Sequence, residues 1–206
     1  MTRCANIAYP YSLKMKEYVN ETDLKQAVET LRSGGLILYP TDTIWGIGCD
    51  ASNPEAIERV YQLKGRTAEK SLIILLENDN QLQSYVNDVP DVAYSLIEYA
   101  DNPLTIVYDE AKNLPDNLLA SDKSIGIRIV KHPFCERLIQ RFRKPVVSTS
   151  ANPSGQPAPQ HFDDIDPLIK DGVDYIVEFG QQDQSIRPAS TIMKLGSDGK
   201  FSFLRR

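Results

Sequence analysis

The 206-residue sequence contains no G-x-x-x-x-G-K-[ST] phosphate loop, which excludes the P-loop way of cradling a nucleotide. Cysteine is scarce. Cys4, Cys49 and Cys135 are odd in number and widely spaced, with no C-x-x-C pair and no Cys/His group at zinc spacing. They read as reduced core thiols, not as a disulfide framework or a metal site. There is no apolar run of the about 18 residues a membrane span needs, so no membrane association is expected. The N-terminal stretch MTRCANIAYPYSLKMKEY lacks the apolar centre of a signal peptide, and a cytoplasmic location is the expectation. An excess of positive charge is missing too. With 23 Lys+Arg against 28 Asp+Glu, the net charge is −5 and the pI about 5.1. That argues against a general nucleic-acid or membrane-surface binder, yet leaves room for a local basic pocket. No internal repeat or low-complexity linker interrupts the chain.

What is present is an ordinary globular composition, 41% hydrophobic and 25% charged. Helix-like and strand-like segments alternate. Thr22 is the expected cap of a helix whose Leu24, Ala27, Val28 and Leu31 fall on one face, ended by Gly34-Gly35. Asn53 followed by Pro54 opens a second helix. Pro133 opens another, running to 142, and a further helix carries Val92, Ala93, Leu96, Ile97 and Ala100. Strands are expected at 36–39, 71–76, 104–108, 124–130 and 145–148, with a terminal hairpin turning at 196–199. In 124–130 the odd positions Ile125, Ile127 and Ile129 form an apolar face, which puts Ser124, Gly126 and Arg128 together on the other. The class is α/β: one domain over residues 1–206, core about 22–205, with a mixed sheet and flanking helices.

Three segments gather polar residues where strands end. Tyr39-Pro-Thr-Asp-Thr-Ile-Trp-Gly46 offers two hydroxyls, a carboxylate and a glycine, and suits either a small polar ligand or an ordinary turn. Lys64-Gly-Arg66-Thr-Ala-Glu-Lys70 places three cations near a helix end, where they serve the helix dipole or face an anion. Ser148-Thr-Ser-Ala-Asn-Pro-Ser-Gly155 forms either an anion-binding nest or a plain Asx/Ser turn. Gly46-Ile-Gly48 only loosely mimics a dinucleotide fingerprint, because its spacing is wrong. His132, just before Pro133, reads as a cap or packing residue. Without a nucleophile–base signature, any chemistry must come from positioning and electrostatics.

In this order, the three segments resemble the YrdC/Sua5 family of threonylcarbamoyl-AMP synthases. Pro40-Thr-Asp-Thr-Ile-Trp-Gly46 matches the family's opening motif, Lys64-Gly-Arg66 its K-x-R and Ser150-Ala-Asn152 its S-x-N. Pro103-Leu-Thr105, Arg128 with His132-Pro133, Ser190-Thr191-Ile192 and Leu204-Arg205 extend the likeness from about Thr22 to Arg205. The resemblance implies a twisted α/β domain with a concave site and no second Sua5-type domain. It implies an enzyme that joins L-threonine, bicarbonate and ATP, with Mg²⁺ on the phosphates, into threonylcarbamoyl-AMP and pyrophosphate. The product would reach adenosine 37 of tRNA through a separate transfer complex. By position, Thr43, Arg128 and Ser148 would hold threonine. Arg66, Lys70, Ser124, Ser150, Asn152 and Ser190 would hold ATP, and Lys64 with Arg66 would act at the reacting phosphate. Many synthases start the strand after K-x-R with Asn-Pro and end it with a histidine near threonine. Here those positions are Lys70-Ser71 and Leu75, an apolar wall in place of a polar contact. A YciO-like paralogue that binds nucleotide or RNA with little synthase activity is the alternative, and a direct RNA contact its corollary.

Overall fold

The computed structural model describes residues 19–65 and 72–205. Its first helix, α1 (Glu21–Arg32), is capped by Asn20, whose side chain accepts from the Thr22 amide at 2.8 Å. Thr22 is therefore the recipient of the cap rather than the cap itself. Leu24, Ala27, Val28 and Leu31 form its buried stripe. Asn53 caps α2 (Pro54–Lys64) twice, accepting from the Glu55 and Ala56 amides, with Pro54 in the first turn. Gly65 closes α2 in the left-handed conformation at φ 59°, which a residue without a Cβ adopts at least cost. Helix α3 (Asp91–Glu98) stops short of the expected Ala100 and buries Ala93 while leaving Val92 exposed. Helix α4 (Pro133–Phe142) follows its expected pattern, and a short α5 (Pro167–Gly172) adds to them. No helix among the described residues is long and apolar enough to cross a membrane.

The strands are β1 (Ile37–Tyr39), β2 (Gly46–Gly48), β3 (Ile73–Leu76), β4 (Leu104–Tyr108), β5 (Ile125–Ile129), β6 (Val146–Ser150), β7 (Tyr175–Ile176), β8 (Thr191–Leu195) and β9 (Phe201–Arg205). They form one nine-stranded mixed sheet in the order β7-β1-β2-β6-β3-β5-β4-β8-β9. β1–β7, β3–β5 and β4–β8 pair in parallel, and the remaining neighbours are antiparallel. The expected terminal hairpin is β8–β9, turning through Gly199. β2 and β7 are strands that local pattern does not announce, one glycine-rich and one only two residues long.

Side-chain alternation assigns the two faces. Ile74, Leu76, Ile106, Ile125, Ile127 and Val147 belong to a core shared with α2. Ile37, Tyr39, Leu75, Val130 and Val146 belong to a second core on the opposite face, built with α1 and α4. Those two helices cover only part of that face. Its uncovered continuation carries Gly46, Ile73, Thr105, Arg128, Ser148, Ser150 and Ile192, and there the site lies.

Candidate functional site

A cavity of about 310 Å³ opens on this bare stretch of sheet. Its floor is supplied mid-strand. Thr105 of β4 pairs with Arg128 of β5, Ile73 of β3 pairs with Ser148 of β6, and Gly46 of β2 pairs with Ser150. The polar residues of the floor thus sit within strands, on one face, and only Thr41 and Thr43 follow a strand end as expected. The alternation expected to bring out Arg128 does so, because a period of two carries every second residue to the same side. The 40–45 turn forms one wall, with Thr41, Thr43, Ile44 and Trp45, and Ala189, Ser190 and Arg205 form another. Trp45, the sole tryptophan, packs on Phe162 at 4.9 Å between ring centroids, and Lys170 Nζ stands 4.5 Å over that same ring.

Arg128 is the charged centre of the cavity. It is only 4% exposed, with Nη2 3.2 Å from Asp42 Oδ1. Among the described residues neither Arg128 Nε nor Asp42 Oδ1 has an aligned hydrogen-bond partner, so the contact is a charge pair that leaves Nε unbonded. Arg205, from the edge strand, brings a second guanidinium. It donates through Nε and Nη2 to the Ser190 carbonyl at 3.1 and 2.9 Å, and reaches Ser190 Oγ at 3.3 Å. Ser190 Oγ lies 3.0 Å from Thr105 Oγ1. Gly46 lines the floor because a Cβ there would meet Ser148 Oγ and the Thr149 carbonyl at 3.3 Å.

Of the residues expected to act here, Thr43, Arg128, Ser148, Ser150 and Ser190 line the cavity together. Others do not. Lys64 is 3% exposed, and its ammonium donates to the Ser150 carbonyl and, at 2.6 Å, to the Asn152 carbonyl. It ties the end of α2 to the end of β6 and stands outside the cavity lining. The Asn152 amide donates to the Pro153 and Gln156 carbonyls at 2.9 and 2.7 Å, which closes its own turn. The backbone amides of Ala151, Asn152 and Ser154 are bonded to the Trp45, Ser150 and Lys64 carbonyls. The segment is accordingly a bonded turn rather than an open anion nest. Ser124 shares the face of Arg128 but lies off the cavity, its hydroxyl donating to Asp122 at 2.5 Å. That bond, then Lys194, draws the Asp122 carboxyl down to about 2. Leu75 is fully buried in the α1/α4 core and does not wall the cavity. Arg66, Lys70 and Ser71 lie outside the described residues.

Thr41, Thr105 and Arg205 are the contributions that role assignment from the motifs passed over. The available signal was alternation in β4, where Thr105 is a hydroxyl in an otherwise apolar strand. For Arg205 the signal was its place in the Leu204-Arg205 match, with no role attached, and pairing of β9 with β8 carries it to the site. Among the described residues, no three His, Cys, Asp or Glu side chains gather closely enough to hold a metal ion.

The Sua5/YciO/YrdC family model, whose description reads telomere recombination, matches residues 29–206. The chain belongs to the Sua5/YciO/YrdC family. It is 41% identical over 140 residues to a threonylcarbamoyl-AMP synthase of Pseudoalteromonas translucida, covering 66% of this chain and 75% of that one. A threonylcarbamoyl-AMP synthase of Pseudomonas aeruginosa is 34% identical over 152 residues, covering 73% of this chain and 82% of the other. Among solved structures, P. abyssi Sua5 complexed with L-threonine superposes with a TM-score of 0.80 at 25% identity, over 90% of this chain. The match spans 54% of that Sua5 chain, about half its length. E. coli YciO gives a TM-score of 0.79 at 25% identity, covering 91% of this chain and 90% of YciO.

Proposed function

We propose that this protein is an L-threonylcarbamoyladenylate synthase, joining L-threonine, bicarbonate and MgATP into threonylcarbamoyl-AMP with release of pyrophosphate. The observation that carries the reading is buried Arg128, a guanidinium lining a hydroxyl-rich cavity of amino-acid scale. A planar guanidinium so placed suits a carboxylate held through two parallel hydrogen bonds. The synthase name of relatives at 34–41% identity supports the activity over the YciO-like alternative.

The chemistry asks two anions to meet. Threonine's amine, carboxylated by bicarbonate with loss of water, gives a carbamate. One carbamate oxygen attacks the α-phosphorus, and the bond to pyrophosphate breaks. Arg128 would hold the threonine carboxylate, with Thr43 and Ser148 beside it. Arg205, Ser150 and Ser190 would face the nucleotide, and on the resemblance alone Arg66 and Lys70 would join them. Fixed positive charge offsets the repulsion between carbamate and phosphate. Mg²⁺ enters with the substrate, since it ordinarily keeps phosphate and water ligands. Ile44, Trp45, Leu72, Ile73 and Ile192 give apolar walls that help shield two water-labile species, the carbamate and the mixed anhydride. Lys64 and Asn152 would serve by holding the 150–154 turn. The product would supply threonylcarbamoyl groups for tRNA adenosine 37 through a separate complex.

Pyrophosphate release from MgATP tests this directly. It is expected to require both L-threonine and bicarbonate, with threonylcarbamoyl-AMP as product. Equal release without threonine would make the protein an ATPase and remove the reading.

A further inference from the structure

The hydroxyl of Thr43 is not free to choose its role, and the reason lies one residue pair away. A threonine hydroxyl has one proton to donate and two lone pairs to accept with. Thr41 Oγ1 donates its only proton to the Ile44 carbonyl at 2.7 Å. It accepts from the Thr43 backbone amide at 3.1 Å and lies 3.0 Å from Thr43 Oγ1. With its own proton spent, Thr41 must be the acceptor in the hydroxyl pair, so Thr43 donates. Thr43 Oγ1 is then left with lone pairs alone. Both residues are buried, and both line the cavity. The turn that carries them is pinned from behind, where Cys135 Sγ donates to the Pro40 carbonyl at 3.1 Å.

We propose that Thr41 is a positioning residue that fixes Thr43 as a pure hydrogen-bond acceptor facing the amino-acid end of the site. This rests on the synthase reading. Arg128 can only donate, and Thr43, so polarised, can only accept. The two present opposite polarity to one ligand, with a carboxylate meeting Arg128 and an ammonium or hydroxyl proton meeting Thr43. An amino acid bearing a donor next to its carboxylate fits that pattern. A ligand offering acceptors at both ends does not.

The test is a double-mutant cycle read as KM for L-threonine against KM for ATP. Thr41→Val keeps the shape and removes the acceptor. It is expected to raise the threonine KM about tenfold, the scale of one lost hydrogen bond, with the ATP KM within about twofold. Thr41→Ser, which keeps the hydroxyl, should restore the threonine KM. In a Thr43→Val background, Thr41→Val should add nothing, because its effect runs through Thr43. If Thr41→Val does not fold, Thr41→Cys carries the same test with a smaller rise, a thiol being a weak acceptor. An unchanged threonine KM, failure of the serine variant to rescue, or full additivity in the cycle would each overturn the proposal. Wild-type protein that turns over no threonine in the same assay would sink the synthase reading and this inference with it. A working wild type with an unaffected variant would sink this inference alone.

Discussion

At the scale of single residues, the burial of two side chains decides what they can do. Lys64 belongs to a motif whose cations invite a phosphate, yet its ammonium is spent on two carbonyls at the end of β6. It acts on the site through the shape of the 150–154 turn. Leu75 is the converse case. Alternation correctly puts it on the same face as Ile73, but that face is divided. Ile73 borders the cavity, whereas Leu75, opposite Val146, is sealed beneath α1 and α4 at 0% exposure. A histidine at this position would therefore gain no contact with threonine. Leu75→His is expected to lower unfolding free energy by about 3 kcal/mol or more, from lost packing and a buried imidazole without a partner. Urea unfolding measures this, and a variant of near-wild-type stability with an improved threonine KM would return Leu75 to the cavity.

At the scale of elements, what was legible in the sequence was whatever local chemistry determines. Asn53-Pro54 and Gly65 bound α2 because a side-chain acceptor, a fixed φ and a left-handed closing residue act within a few positions. Asn53→Ala should accordingly cost about 1 kcal/mol, the usual price of an N-cap. Thermal unfolding would show it, and threonine affinity should stay unchanged because Asn53 stands away from the cavity. No loss of stability would mean that the two cap bonds contribute nothing. The strand 124–130 was legible too, since Ile125, Ile127 and Ile129 mark one face and expose Arg128 on the other. What stayed hidden was non-local. β2 is Gly-Ile-Gly, with no side-chain pattern of its own, and it is a strand because β1 and β6 pair with it on both sides. Ser124 satisfied the alternation rule yet fell outside the cavity, since Asp122, two residues away, claims its hydroxyl. Arg205 reaches the site because the hairpin legible at 196–199 pairs β9 with β8, and because β8 in turn lies beside β4, a parallel pairing no window of residues contains.

At the scale of the whole molecule, the two helices that leave part of one sheet face bare also bury a titratable group beside the site. His132 precedes α4, is 4% exposed, and stands edge-on to Phe179 at 5.9 Å, while Phe179 stacks on Phe134. Its Nδ1 has no hydrogen-bond partner among the described residues. Burial, then the nearby Arg187 guanidinium, pulls its pKa down to about 3, with Asp183 opposing and Arg128 adding slightly. Folded protein thus keeps His132 neutral where the unfolded chain, at about 6.5, becomes protonated. Because the unfolded state binds the extra proton, stability is fully present above pH of about 6.5 and falls as pH drops toward 3. The slope is at most about 1.4 kcal/mol per pH unit for one such group. Carboxylates held low by their partners, Asp122, Asp183 and Glu21, begin to contribute only near their ordinary values of 3.8 and 4.5. Between about pH 6.5 and 5 the decline should belong largely to His132. Urea unfolding of wild type and His132→Phe across that range separates the contributions. The wild type should lose stability with falling pH, and the variant, which places a neutral ring beside Phe179, should stay nearly flat. An equal slope in both proteins would show that His132 takes up its proton in the folded state, and that the core beneath the site is wetter than its packing implies.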